Sequence, residues 1–532
     1  MADTALAIVG ARVRTLDHAR PFASAVAIRG GRIVAVGDES EVLAACDFAT
    51  RRIDAGGASV VPGLVDTHQH AFWGSRQSRH GDLTACATLD EALAVLRGAA
   101  ERAGDGFVVC HGLRRRLIAN HAAPADLLAE PLRGAPALVT FVDGHGGVAT
   151  RSALDAAGIT GPVAFTDASE VVCDAAGRPT GELHEPGALD LVRTVIPPLA
   201  AGERLHLYAE TLDAMAAAGL TGIHLMDGNG ETLEDLAALE ASGRLPLRVV
   251  APMWIKPGDS LERVAELLRI GQARGGLWRG GVVKLFIDGV VGSGTAWLDE
   301  PDADGKGREA LWPDLDHFRT VVWMAAQAGF AVATHAIGDR AVSFVLDAYR
   351  AVGAPTRVRH RLEHLKLTRP RDIRRAAEFG VVCGMQPLLM DRTVRDGAVS
   401  LTRLLGADRV GRLHRTRELI DAGAVIALGS DWPVAPFSPL LGMAWARLRR
   451  PPGEPDIRPV GADQCLTADE ALAGYTIVAA IAEGATAEAG RLMPGMRADL
   501  TVLGADPVRT GADELIEVPV LGTVVGGRPI GL

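Results

Sequence analysis

The sequence predicts an α/β chain built on a (β/α)8 TIM barrel, with a small β-sandwich domain made from both termini and a large insertion after barrel strand one. Three observations lead there. Apolar strand-like runs alternate with helical periodicity through the middle of the chain. Both ends are short alternating strands with Gly-Gly hairpin turns. The first and second barrel strands are separated by far more chain than one crossover needs.

Length and composition bound the rest. A chain of 532 residues holds two or three domains, and 48% hydrophobic content excludes a disordered protein. The net charge of -10 argues against a nucleic-acid surface, and the short basic cluster at 114–116 reads as solvated loop charges. Six cysteines lie far apart without a C-x-x-C, which is neither a disulfide framework nor a thiolate zinc site. The start, MADTALAIVG, lacks the basic region of a signal peptide, and no apolar run is long enough to span a membrane. The expectation is a cytoplasmic protein that meets a small-molecule substrate and no nucleic acid or membrane. A homodimer is expected because symmetric pairs are the commonest assembly.

Taken in order, LAIVGARVRTL and SAVAIRGGRIVAVG predict paired strands with a turn at Gly30-Gly31, and RRIDAGG adds another strand. RADLTVLG and VPVLGTVVGGRPIGL repeat the pattern at the far end, with a turn at Gly526-Gly527. Residues 1–58 and 488–532 are therefore expected to form one β-domain. The barrel is expected over 59–71 and 201–487. Its strands are VVPGLVDTHQH (60–70), 219–227, 246–254, 281–289, 329–338, 358–365, 380–387 and 424–433, with helical patterns such as LDHFRTVVWMAAQA and DRAVSFVLDAYRAV between them. Residues 72–200 read as an inserted subdomain over the barrel mouth, where a long loop shapes a substrate pocket. TADEALAGYTIVAAIAEG reads as a helical segment beneath the barrel.

Chemistry is expected at the C-terminal ends of the barrel strands. His68 and His70 are two apart at the end of strand one, so they share a face. They make half of a metal site, or else a solvated strand end. Lys284 lies inside the apolar strand four, where an unpaired charge is costly. It is either paired with an acid such as Asp288 or neutral, and a neutral amine adds carbon dioxide to become a carbamate able to bridge metals. His335 ends strand five, His364 strand six and Asp431 strand eight. Each alone reads as structural, but the six together offer nitrogen and oxygen donors suited to zinc and its neighbours.

On PGLVDTHQH, VKLFIDGVVGS, THAIGDRAV, RLEHLKL, GSDWPV and RLMPGMRADLTVLGADP, the chain resembles the amidohydrolase superfamily, and within it the amidohydrolase 3 or YtcJ-like family that includes N-substituted formamide deformylases. DGH at 143–145 and TGELHEPG resemble two further family segments. The resemblance implies that His68 and His70 bind a more buried divalent metal, most simply zinc. It also implies that an N6-carboxylated Lys284 bridges to a second ion held by His335 and His364, and that Asp431 binds the first ion and moves protons. With one ion only, His335 and His364 would face substrate. Departures fall at HGLRRRLIA, at Gly292-Ser293-Gly294, at Leu365-Lys366 and at GMQPLLMDR, which carries Gln386 and no nearby histidine. They touch the pocket rather than the metal site.

The expected activity is hydrolysis of an amide-type C–N bond (N-acyl, N-formyl or cyclic amide) by metal-activated hydroxide, with Asp431 as proton shuttle and His145 stabilising the oxyanion. For His145 the alternative is a loop histidine bonded to backbone. Trp73, Trp297 and Trp432 are expected as pocket walls or as packing between insertion and barrel, with His224, Asp288 and Gln386 as further pocket residues. Asp339 and Arg340 are expected to pair or to orient His335. An ester, lactone or carbamate hydrolase uses the same site. A deaminase is disfavoured by Lys284 and by Gly338, where the related deaminases carry glutamate. A non-enzymatic scaffold should have lost ligands, and none of the six is lost.

Overall fold

A computed structural model of the chain describes residues 5–104, 106–353, 359–394 and 398–532. The first four residues of the N-terminal reading and the start of the expected sixth strand, at Val358, lie outside them. Eight parallel strand positions alternate with helices through the middle of the chain: β1 (Leu64–Gln69), β2 (Leu220–Leu225), β3 (Arg248–Val250, continuing as Met253–Trp254), β4 (Trp278–Arg279, continuing as Val282–Phe286), β5 (Ala331–Ala336), β6 (Arg361–His364), β7 (Val382–Met385) and β8 (Val425–Leu428). They fall into two parallel sheets, because β3 is interrupted at Ala251-Pro252 and β4 at Gly280-Gly281. Proline has no N–H to give to a ladder, which accounts for the first break.

The strands are nearly continuous apolar runs because both of their faces are covered. Val283 and Leu285 of β4 and Val332 of β5 are fully buried, under helices such as Leu315–Gln327 and Asp339–Val352. Asp314 caps the first of these helices, accepting from Asp316 N and His317 N at 2.9 and 3.0 Å. In the second, Ala341, Val342, Val345, Leu346 and Tyr349 recur at helical spacing on the buried side. The Tyr349 hydroxyl sits 2.9 Å from Arg361 O and 3.0 Å from Val332 O, which ties this helix to β5 and β6.

The terminal segments form two further sheets, the first from the N-terminal segment alone and the second from both ends. One runs Arg32–Gly37, Ala25–Arg29, Leu6–Val9, Arg51–Asp54. The other runs Arg528–Ile530, Val520–Val525, Leu500–Leu503, Ser59–Pro62, Arg12–Arg14, Phe22–Ala23. Ile8, Val26, Val60, Leu500 and Val524, drawn from both sheets, share one apolar cluster. The expected first barrel strand is therefore divided. Ser59–Pro62 pairs with Arg12–Arg14 and Leu500–Leu503 in a terminal sheet, and the barrel strand begins only at Leu64.

The segment after β1 is more ordered than the sequence pattern predicts. It forms its own six-stranded sheet: Glu170–Cys173, Pro179–His184, Gly146–Ala149, Ala137–Phe141, Val108–Leu113, Gly81–Asp82. Glycine-rich strands such as GGVA hide the period-2 signal, because glycine adds nothing to the apolar face. Among the described residues no helix is long and apolar enough to cross a membrane.

Thr501 is one of the side chains that join the terminal sheets to the barrel, beside the Arg248–Asp499 pair at 2.6 Å. Thr501 Oγ1 accepts from Leu64 N at 3.2 Å and donates to Gly219 O at 2.8 Å, so it serves the starts of β1 and β2 together. Thr501→Val keeps the shape and orphans both backbone groups. It should cost about 1–3 kcal/mol, read as a lower denaturant midpoint. An unchanged midpoint would show that this link carries no stability.

Candidate functional site

The strand ends converge on one cluster. His68 on β1 is fully buried, and His70 follows it where the helix Ala71–Gln77 begins. Asp431 Oδ1 lies 3.5 Å from His68 Nε2 and 3.4 Å from His70 Nε2. The ligating atoms of these three residues all lie within 4.8 Å of one another. The segment after β8 is held against β1 by backbone bonds: Asp431 N donates to His68 O at 2.7 Å and His70 N to Trp432 O at 2.6 Å. Asp66 ties the same two segments, accepting from Ser430 N and Ser430 Oγ at 3.0 and 2.5 Å. Burial pushes the Asp66 carboxyl up to about 7, against those bonds.

Lys284 on β4 is fully buried, with Nζ 3.5 Å from His68 Nε2 and 4.6 Å from the Phe286 ring centroid. Burial lowers its amine to about 8, against the pull of Glu363 and Asp431. The His364 ring lies 4.7 Å from that of His68 and 4.5 Å from that of His335. All six residues proposed from the sequence as ligands thus stand in one group.

Their protonation states follow from their partners. Burial drives His68, His335 and His364 well below the usual histidine range, so they are neutral. Glu363 Oε2, 2.7 Å from His68 Nδ1, can only accept, so Nδ1 carries the hydrogen and Nε2 the lone pair. By the same logic Gln386 Oε1, 2.8 Å from His364 Nδ1, leaves Nε2 of His364 as a donor atom. The carbonyl of Gly289, 3.2 Å from His335 Nε2, leaves Nδ1 of His335.

Sequence reasoning missed the layer beneath. Glu363 and Arg361 are both fully buried on β6 and pair at 2.8 Å; Arg361 also reaches His224 Nδ1 at 2.5 Å and Thr67 O at 2.8 Å. The signal was available: two opposite charges two apart on a buried strand share a face and must pair. Period-2 alternation would send His364 to the opposite face from Glu363. His364 instead adopts φ +75°, in the left-handed region, and turns inward. Asp431, three residues past β8, is also left-handed, at φ +62°. Such backbone costs about 1–3 kcal/mol per residue and persists only where the surroundings impose it.

Four of the six, His70, His335, His364 and Asp431, line a cavity of about 1580 Å³, open between the strand ends and the insertion, and His68 and Lys284 lie buried behind them. His70, Trp73, His145, His335, His364, Gln386, Asp431 and Trp432 line it. Three expected pocket residues lie elsewhere. His224 is buried against Arg361. Asp288 is buried beneath the loop after β5 and accepts from Trp297 N, Ile337 N and Gly338 N at 2.9, 3.0 and 2.8 Å, while burial pushes its carboxyl up to about 7. Trp297 packs on Phe344 with Arg340 over its ring. Asp339 accepts from Asp299 N and pairs with Arg369, so neither it nor the Arg340 side chain is placed on His335. Arg114, Arg115 and Arg116 line the cavity rather than a solvated loop, and Arg115 stacks 3.9 Å from the Phe141 centroid. Burial would lower the His145 imidazole, but the Glu185 carboxylate 2.8 Å from Nδ1, with Asp143 and Asp431, raises it overall.

This donor set fits a divalent cation. It offers neutral imidazoles with lone pairs directed by second partners, a carboxylate among them, and a buried amine held low. His68, His70 and Asp431 would hold one ion, and Lys284, His335 and His364 border the same space.

The chain matches the amidohydrolase family over residues 51–530. An N-substituted formamide deformylase of Arthrobacter pascens is 30% identical over 98% of this chain and 97% of its own. The Bacillus subtilis protein YtcJ is 30% identical over 90% of each chain. Among solved structures, a metal-dependent hydrolase of Pyrococcus horikoshii superposes with a TM-score of 0.76 at 23% identity, covering 96% of this chain and 99% of that one. The shared fold is of the TIM-barrel type with mixed α/β content.

Glu363→Gln keeps the volume but removes the charge that serves His68 and Arg361 together. Affinity for zinc, measured by competition with a chromophoric chelator, should fall about 10- to 100-fold. Unchanged affinity would show that Glu363 serves Arg361 alone.

Proposed function

This chain belongs to the amidohydrolase family and is a hydrolase of carbon–nitrogen bonds, and on that premise we propose that it cleaves an amide-type bond in a small molecule, an N-formyl, N-acyl or cyclic amide. The observation that carries this reading is the convergence of His68, His70 and Asp431 beside Lys284, with His70 and Asp431 lining the cavity. The full-length similarity to a formamide deformylase supports the same class. We take the eight strands to close into a barrel, since Thr67 Oγ1 donates to Leu428 O at 2.8 Å and brings β1 beside β8, and we take the two terminal sheets as a sandwich.

A divalent cation bound by these side chains, zinc by the donor set, supplies a Lewis acid and makes water acidic near neutral pH. The chain's own groups do the rest. Asp431 Oδ1, beside both Nε2 atoms, takes a proton from the attacking water and returns it to the leaving nitrogen, so that water and amide become acid and amine. His145 faces the carbonyl oxygen from the insertion side and stabilises its developing charge. Lys284, an amine that burial lowers to about 8, is the group that would take up carbon dioxide; the carbamate would replace a positive charge beside a cation site with a negative one. His335 and His364 would hold a second cation with it.

Asp431→Asn keeps the side-chain shape and loses the proton carrier. Across a panel of N-formyl, N-acyl and cyclic amides, kcat should fall about 100-fold or more while metal analysis still finds most of the ion bound. Near-normal turnover would rule out Asp431 as the proton carrier.

A further inference from the structure

We propose that Glu185 is a positioning residue for His145, and that the two act as one unit on the substrate from the insertion side of the cavity. The inference rests on the proposed function, in which His145 faces the bond being cleaved. His145 stands on the short loop after the strand Ala137–Phe141. Its N–H donates to Asp143 Oδ1 at 3.0 Å, and its carbonyl accepts from Glu185 N at 3.1 Å and Arg115 Nη2 at 3.4 Å. Its Nδ1 is 2.8 Å from Glu185 Oε2. A carboxylate only accepts, so Nδ1–H is committed to Glu185 and Nε2 is the nitrogen left for a ligand. The ring stands 5.2 Å from that of His335, at the cluster itself.

Three features set Glu185 apart from an ordinary packing residue. It is fully buried. Its backbone is left-handed, φ +64°, where glycine or asparagine sits with far less strain. Its second oxygen is held by the Thr295 hydroxyl at 2.5 Å, in the loop after β4. That loop also makes room for it: a Cβ on Gly289 would meet Glu185 Oε1 at 2.3 Å. The carbonyl of the same Gly289 takes His335 Nε2. A buried, strained carboxylate from the insertion is thus pinned to the barrel loop that also orients His335. This fixes the His145 imidazole against the ligand cluster, which packing alone does not require.

Glu185→Gly removes the carboxylate with its two methylenes while glycine suits the backbone angle, so the loss falls on the contact with His145 rather than on the chain path. In the full-length, metal-loaded enzyme assayed on the amide panel, His145→Ala should lower kcat about 100-fold. Glu185→Gly should lower it about tenfold or more with KM little changed, and the double variant should be no slower than His145→Ala alone. A crystal structure of Glu185→Gly should show the imidazole turned from its present rotamer. Losses that multiply in the double variant, wild-type kcat in Glu185→Gly, or an unmoved imidazole overturn the inference while leaving the proposed activity standing. Full turnover in His145→Ala contradicts the reading of His145 itself and takes the inference with it.

Discussion

Lys284, Arg361 and Glu363 lie wholly out of solvent among the parallel strands, and the site is arranged around compensating them. Leaving one such charge unpaired costs about 3–5 kcal/mol, so the neighbours are constrained. Glu363 answers Arg361 with one oxygen and His68 with the other. Arg361 directs its remaining donors to His224 and the carbonyl of Thr67. Lys284 makes no such close ion pair, and burial lowers its amine to about 8 against the pull of Glu363 and Asp431. That asymmetry is the chemical content of the site: opposite charges paired in the layer beneath, and above it imidazoles, the amine and one carboxylate brought together.

The surrounding architecture converts that layer into a defined geometry. Backbone bonds from Asp431 N to His68 O and from His70 N to Trp432 O lock the ends of β1 and β8, so the carboxylate sits beside both imidazoles. Left-handed backbone at His364 overrides strand alternation, and the same conformation at Asp431, three residues past β8, turns the chain there. The insertion, with its own sheet, supplies the opposite wall through Trp73 and His145. The trio that can hold an ion, the amine and the remaining histidines therefore come from five separate strand ends, and none is on a free loop.

Much of this was legible in the sequence. The barrel strands and the six candidate ligands could be read because an apolar run that ends in His, Lys or Asp must give that polar group a partner or a ligand, and the family motifs fixed their order. What stayed hidden depends on contacts between distant segments. Glu363 looked like an ordinary acid beside a candidate ligand, and only its burial shows that it serves His68. Trp297 and His224 carry the residue types of a pocket wall, yet pack away from the cavity, because a strand end does not say which side of the loop faces inward. Arg114, Arg115 and Arg116 looked like loop charges because the insertion's own sheet, weak in periodicity and rich in glycine, was not visible. Glu185 falls in TGELHEPG, a segment marked only by its resemblance to the family, and its left-handed backbone and contact with His145 cannot be read from a string of letters.

The central claim, that His68, His70, Lys284, His335, His364 and Asp431 together form a cation site, is tested most directly by anomalous diffraction at the zinc edge from crystals of the metal-loaded protein. The account predicts a peak among His68 Nε2, His70 Nε2 and the Asp431 carboxylate, with density extending from Lys284 Nζ as a carbamate if a second ion is present. Bound metal located elsewhere, with no peak between these side chains, would contradict it.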